Sequence, residues 1–206
     1  MEILRKMVLP YFDEGDGHGF DHVERVYNLA LKISESENVD VDIVKSAALL
    51  HDICRKQGGE TGQCHAIEGA KLTPEILRKI NFPEDKIENV VHCVKVHRYS
   101  NGFVPETKEA KILQDADRLD AIGAIAITRI ITHGIKHNMP IYNPKIKPSE
   151  GYSSKSETSI NHFYEKILKL KPETFHTKSA QKIAKERYLF TQKFVNQIID
   201  EWDGKK

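Results

Sequence analysis

A histidine and an aspartate stand side by side at the end of an apolar run, in AALLHDICRK: His51 and Asp52. Two more groups of the same chemical type lie elsewhere, His22 in HGFDHVERV and Asp117 in LQDADRLDAIG. Imidazole nitrogen and carboxylate oxygen together suit manganese, iron, cobalt, nickel, zinc or magnesium. Neighbouring residues on a helix point roughly 100° apart, so His51 and Asp52 reach one cation only if it lies beside the helix, close to its end. Other helices must then supply His22 and Asp117. Each residue alone is ordinary, since a histidine or aspartate at a helix end commonly serves as a cap or as charge beside the dipole. The set is harder to explain that way. Asp52 follows a nearly unbroken buried run, where an unpaired carboxylate is costly. Asp115, Asp117 and Asp120 crowd one segment and repel unless a cation or Arg118 compensates.

The elements that must position these groups read as helices almost throughout. Val23, Val26, Ala30 and Ile33 form an apolar stripe with His22 at its start. Asp40 is an N-cap for a central, buried helix over about 41–53. KQGGETGQ reads as a glycine-containing loop. A helix over about 65–80 contains Pro74, which bends or splits it. Pro83 suits the first turn of the next helix, which ends near His97. Residues 108–133 form one long helix or two abutting ones, with a break around DADRLD. Residues 134–156, rich in Pro, Gly, Asn and Ser, read as a long loop or lid. Helices over about 158–170 and 178–202 close the chain. The expectation is an all-α, single-domain helical bundle over 1–206, with a core of about 18–135 and C-terminal helices of about 157–203 packed on it.

Composition narrows the function classes. A chain of 206 residues suffices for one domain with a real core. A formal net charge of +1 steers it to neither nucleic acid nor an anionic membrane. Three cysteines (Cys54, Cys64 and Cys93) form no CxxC pair, which argues against a disulfide framework and for a reducing, cytoplasmic setting. The N-terminal apolar run is too short for a signal peptide, and no stretch suits a bilayer span.

The order His, His-Asp, Asp resembles the signature of the HD superfamily of metal-dependent phosphohydrolases. The blocks GHGFDHVERV, AALLHDICRK, HAIEGA, ILQDADRLDAIGAIAITR and INHFYEKILKL extend that resemblance over most of the chain. They are similar to one subgroup, the stand-alone bacterial HD phosphohydrolases of the YpgQ and YedJ type. The resemblance implies a helical bundle that holds a divalent metal on His22, His51, Asp52 and Asp117; manganese is the first choice, with magnesium, cobalt, nickel, iron or zinc as alternatives. It also implies nucleoside triphosphate pyrophosphohydrolysis. HD enzymes that hydrolyse alarmones carry HDxxED, but this chain has Arg55 and Lys56 in place of the two acids. Alarmone hydrolysis through that pair is therefore not expected.

A bound metal lowers the pKa of a water and draws charge from a phosphoryl oxygen. A polyphosphate also needs cations nearby. Candidates for substrate binding are Arg25, Arg55, Lys56, His65, His97, His162 and Lys166, the last two being on one face at i, i+4. Asp52, Glu68 and Asp120 are the candidate acid or base groups, although Glu68 also fits a solvated helix face and Asp120 a pair with Arg118 or Arg129. His65, His92 and His97 are the candidates for a second metal or a phosphate. Tyr142 and Tyr152 in the long loop are candidates to stack on a base. The expected partner is a small-molecule nucleotide, with a homodimer open. The alternatives are a nucleotide phosphomonoesterase or cyclic phosphodiesterase, and a non-catalytic nucleotide-sensing module. A nucleic-acid binder is disfavoured because there is no basic stripe with interleaved aromatics.

Overall fold

Apolar residues at helical spacing build ten α-helices and no strand among the described residues, as the periodicity requires. The computed structural model describes residues 1–12, 19–151 and 155–206, and of residues 60 and 61 the backbone alone. The helices are α1 (Glu2–Val8), α2 (Phe20–Ser34), α3 (Val41–Leu50), α4 (Arg55–Thr61), α5 (His65–Lys79), α6 (Glu84–Val96), α7 (Lys108–Asp120), α8 (Ala124–Lys136), α9 (Ser159–Glu165) and α10 (Lys178–Trp202). They fall into two compact units, residues 1–118 and 119–206. No helix among the described residues is long and apolar enough to cross a membrane.

In the first unit α3 is central and packs against α1, α2 and α6, while α5 lies along α6 and α4. Its sequence explains the position: Val44, Ala47, Ala48, Leu49 and Leu50 are all fully buried. Asp40 caps it as expected, one carboxylate oxygen accepting from the backbone N–H of Asp42 (3.0 Å) and of Ile43 (3.4 Å). The α2 stripe of Val23, Val26, Ala30 and Ile33 is fully buried. Its burial turns the first turn of α2, and with it His22, inward.

Three expectations are corrected here. The central helix stops at Leu50, and His51 to Cys54 form a turn. The segment read as a glycine loop is helix α4, closed by Gly62 in a left-handed conformation (φ 72°) whose N–H reaches the Gly58 carbonyl. Gly58 lies so close to the following chain that an added Cβ would stand 2.9 Å from the Gln63 carbonyl oxygen. Tertiary fit thus overrides the poor helix propensity of two adjacent glycines. Pro74 does not split α5, which runs unbroken from His65 to Lys79.

In the second unit the chain breaks just after DADRLD, at Ala121–Gly123, before α8 begins. Gly123 holds φ 92°, and its N–H donates to Thr191 Oγ1 (2.9 Å) on α10. The Arg187 stem covers it closely, and the guanidinium donates to the Leu119 carbonyl (2.7 Å). The helix expected over 158–170 is shorter. Thr158 caps α9, Lys166 leaves helical geometry (φ −133°), and a 3-10 turn at Ile167–Lys169 follows. The α10 boundaries agree with the sequence reading.

Candidate metal centre

Four imidazoles line up in the first unit. The rings of His22, His51, His97 and His65 meet in that order, with centroids 5.3, 5.1 and 5.4 Å apart. Each comes from a helix terminus: the start of α2, the ends of α3 and α6, and the first residue of α5. Helix ends leave side chains free to converge without obstructing the packed helix bodies, and all four residues are buried.

The four ligand residues expected from the sequence come together. His22 Nε2 lies 3.3 Å from His51 Nε2, 3.3 Å from Asp117 Oδ1 and 3.7 Å from Asp52 Oδ2. His51 Nε2 lies 3.8 Å from the same Asp52 oxygen. Donor atoms bound to one ion at about 2.0–2.2 Å stand roughly 3.0–3.5 Å apart, so the separations are close to those of a shared cation. The other Asp52 oxygen, Oδ1, faces a second group: His65 Nε2 at 3.0 Å and His97 Nε2 at 3.4 Å. Asp52 Oδ1 and His65 Nε2 are both buried, yet neither is aligned for a hydrogen bond. Two orphaned polar atoms facing one another in a buried site fit an ionic or phosphoryl partner.

Charge supports the same fit. Burial pushes the His51 imidazole down to about 4, with His97 and His22 adding to the effect against the pull of Asp52. It is therefore neutral near pH 7. Its Nδ1 donates to the Ala48 carbonyl (2.8 Å), which leaves the Nε2 lone pair facing the cluster. Burial alone would raise the carboxyl of Asp52, but His51, His65, His97 and Arg55 hold it well below the usual range. Asp117 is likewise held low, chiefly by the hydrogen bond and charge of His22. Two carboxylates and a neutral imidazole are an anionic set, suited to a divalent cation. Asp117, with its side chain 28% exposed against 3% or less for His22, His51 and Asp52, marks the open side.

The other sequence candidates divide. His65 and His97 join the centre, and Arg55 reaches Asp52 Oδ2 at 3.1 Å. Arg25 pairs with Asp21 at 2.6 Å. Lys56 is exposed on α4. Glu68 pairs with Lys71 on α5 (2.7 Å), the solvated-face alternative. Asp120, in the second unit, pairs with Arg129 (2.7 Å). His92 accepts from the Glu106 N–H (3.1 Å), tying down the loop before α7. Arg118 faces Asp115 at 3.8 Å and stacks on the Tyr99 ring at 3.9 Å. Tyr99 itself was missed by sequence reasoning. Its place two residues after His97 was the available signal, and its half-exposed ring sits on the guanidinium that follows Asp117. Tyr142 packs edge-on against Trp202, and Tyr152 lies outside the described residues.

His162 and Lys166 belong to the second unit. They do not share a clean helix face, because Lys166 has left the helix. His162 Nδ1 meets Ser156 Oγ at 3.2 Å, and Ser156 in turn donates to the buried Glu165, whose other oxygen accepts from the Ser149 N–H (2.8 Å). This network pins the long loop to α9. Burial, with the Lys166 charge, pushes the His162 ring down to about 4 from an ordinary 6.5. The folded chain thus takes up this proton only near pH 4, whereas the unfolded chain takes it up near 6.5. Stability is full above pH 6.5 and falls as pH drops toward 4. His162→Gln is expected to remove that loss, about 3 kcal/mol over the window. Urea unfolding at a series of pH values measures it, and an unchanged pH slope would rule the assignment out.

Comparison with known proteins agrees with this geometry. Residues 19–122 match the HD domain. The chain is 30% identical to the Bacillus subtilis protein YpgQ over 196 residues, 93% of this chain and 88% of that one. The fold superposes on an HD-superfamily hydrolase from Bacillus thuringiensis with a TM-score of 0.79 and 31% identity, covering 98% and 96% of the two chains. It superposes on Bacillus subtilis YpgQ in complex with ADP with a TM-score of 0.75 and 27% identity, covering 97% and 96%. With the donors of one cation gathered from the start of α2, the end of α3 and the last turn of α7, the chain belongs to the HD domain family and is a metal-dependent phosphohydrolase.

Proposed function

We propose that the chain cleaves nucleoside triphosphates, deoxynucleotides included, to the monophosphate and pyrophosphate. One observation carries this reading: Asp52 divides its two oxygens between the cation quartet and a second buried group, His65 and His97. A single phosphate ester needs only one such anchor, whereas a polyphosphate presents several anionic groups at once. Arg55 at Asp52, where an alarmone hydrolase would hold an acid, adds positive charge on the same side. The ADP carried by the YpgQ structure is a nucleoside polyphosphate, which supports a nucleotide as the ligand.

His22, His51, Asp52 and Asp117 would hold the cation, and manganese suits this mixed imidazole and carboxylate set. When bound, it supplies Lewis-acid activation of water and withdraws charge from a phosphoryl oxygen. His97 Nδ1 donates to the Val94 carbonyl (2.7 Å), which orients the ring with Nε2 toward Asp52 and the site. His65, kept neutral mainly by burial, is placed to donate from Nε2 to a phosphate oxygen. Water attacks the α-phosphorus, the bridge between the α- and β-phosphates breaks, and pyrophosphate leaves.

The test is product analysis. Manganese-loaded protein given dATP in heavy-oxygen water is expected to yield dAMP and pyrophosphate in equal amounts, with the label in dAMP. Inorganic phosphate as the sole phosphorus-containing leaving product would indicate a phosphomonoesterase and sink the proposal. Tight dATP binding without turnover would indicate a sensing module.

A further inference from the structure

Two histidines outside the centre are arranged as a pair. His133 lies in the last turn of α8 and His137 is its C-cap, four residues on, so the two share one face of the helix. Both are exposed. Their rings stack, with centroids 4.1 Å apart and planes 26° from parallel. They belong to the second unit, whereas the centre belongs to the first, and the phosphohydrolase chemistry above uses neither of them.

The local geometry fixes which nitrogen of His137 is offered. Its Nδ1 donates to the His133 backbone carbonyl (2.9 Å), which leaves Nε2 as the outward nitrogen. A ring N–H held on a backbone carbonyl is the bond that commonly orients a ligating histidine. Among the described residues it is the one hydrogen bond these two rings make. Burial, with the charges of His137 and Lys136, holds the His133 ring below its ordinary 6.5, so it keeps a lone pair at neutral pH. The pair also stands at the negative pole of a 13-residue helix, where a cation is favoured.

The donor set selects the ion. Two imidazole nitrogens bound to one ion at about 2.0–2.1 Å stand roughly 3 Å apart. The stacked rings reach that separation by closing at their Nε2 edges, and both side chains have room to turn. Imidazole without carboxylate suits zinc, copper(II) or nickel(II), whereas manganese and magnesium favour oxygen donors. The centre, with two carboxylates, has a different preference.

We propose that His133 and His137 form a second, independent metal site, which takes one zinc, copper(II) or nickel(II) ion on the two Nε2 atoms and completes its shell with water. The ion would staple the C-cap to the last turn of α8, where the chain leaves the helix for the long loop.

Equilibrium dialysis of the chelator-stripped full chain against zinc, followed by elemental analysis, counts the ions. The wild-type chain is expected to hold one zinc more than His133→Gln and one more than His137→Gln. The same loss of one ion is expected when either change is made beside Asp52→Ala, which disables the centre. Dialysis against manganese should show no such difference. Copper(II) on the Asp52→Ala chain should give an electron paramagnetic resonance spectrum split by two nitrogens, and this splitting should vanish in either histidine variant. Both positions are exposed, so His133→Gln and His137→Gln should keep the wild-type circular dichroism and manganese-dependent turnover.

Equal zinc content in the wild-type chain and both variants overturns the proposal. A loss in only one variant overturns the pair as the ligand set. An equal difference with manganese overturns the ion class, and a loss of turnover in His137→Gln overturns the independence of the two sites.

Discussion

Asp52→Ala is expected to lower kcat/KM for the best nucleotide substrate by about a thousandfold or more, roughly 4 kcal/mol of transition-state stabilisation. Metal content after purification without chelator should fall with it. The size of the effect follows from the position of this carboxylate: Oδ2 faces His22 and His51, and Oδ1 faces His65 and His97. Removing it deletes a donor and also the anion that makes the set attractive to a divalent ion. Asp52→Asn retains the shape and one carbonyl oxygen but not the charge, and should behave nearly as badly if charge is the reason. Glu68→Gln is the contrast: its carboxylate is paired with Lys71 on α5, and the change should cost less than tenfold. Elemental analysis and steady-state kinetics on the three variants decide. An Asp52→Ala protein that keeps both metal and turnover would remove Asp52 from the centre.

The largest effect on folding is expected at a glycine. A Cβ on Gly134 would stand 2.2 Å from Ser159 Oγ, where α8 meets the first turn of α9. Ser159 is buried and its N–H donates to the Pro140 carbonyl (3.0 Å), so the hydroxyl has little room to withdraw. Overpacking of this kind costs about 3 kcal/mol, and alanine returns about 1 kcal/mol through helix propensity. Gly134→Ala should therefore destabilise the protein by about 2 kcal/mol and lower Tm by roughly 4–8 °C. Ser159→Ala in the same chain removes the clashing oxygen and leaves an ordinary 3.6 Å contact with the Ser159 Cβ. The double variant should melt close to Ser159→Ala alone. Additive losses in this cycle would place the strain elsewhere.

The residues show which features a single sequence makes legible. The central helix was readable because α3 is apolar on most sides and begins at an aspartate cap, and both signals are local. The gathering of His22, His51, Asp52 and Asp117 was readable because each has the chemistry of a metal donor and lies beside a helical run. Helix α4 was not, since its two adjacent glycines argue for a loop until the close approach of Gly58 to Gln63 is known. The convergence of His65 and His97 on Asp52 was equally hidden. It depends on how α5 and α6 lie against α3, a matter of packing that no local pattern records. The shared face assigned to His162 and Lys166 failed for a different reason, a backbone departure at Lys166 that spacing cannot reveal.

The hydrogen bonds from His51 Nδ1 to Ala48 and from His97 Nδ1 to Val94 have a consequence for how the centre fills. In many metal sites an imidazole must first shed a proton or change tautomer, so ion uptake acidifies the medium and stalls as the pH drops. Here the backbone has already oriented both rings, and burial keeps His51 deprotonated down to about pH 4 with its tautomer set by the Ala48 carbonyl. At His51, loading would be an exchange of hydration for ligation, almost indifferent to pH across the neutral range.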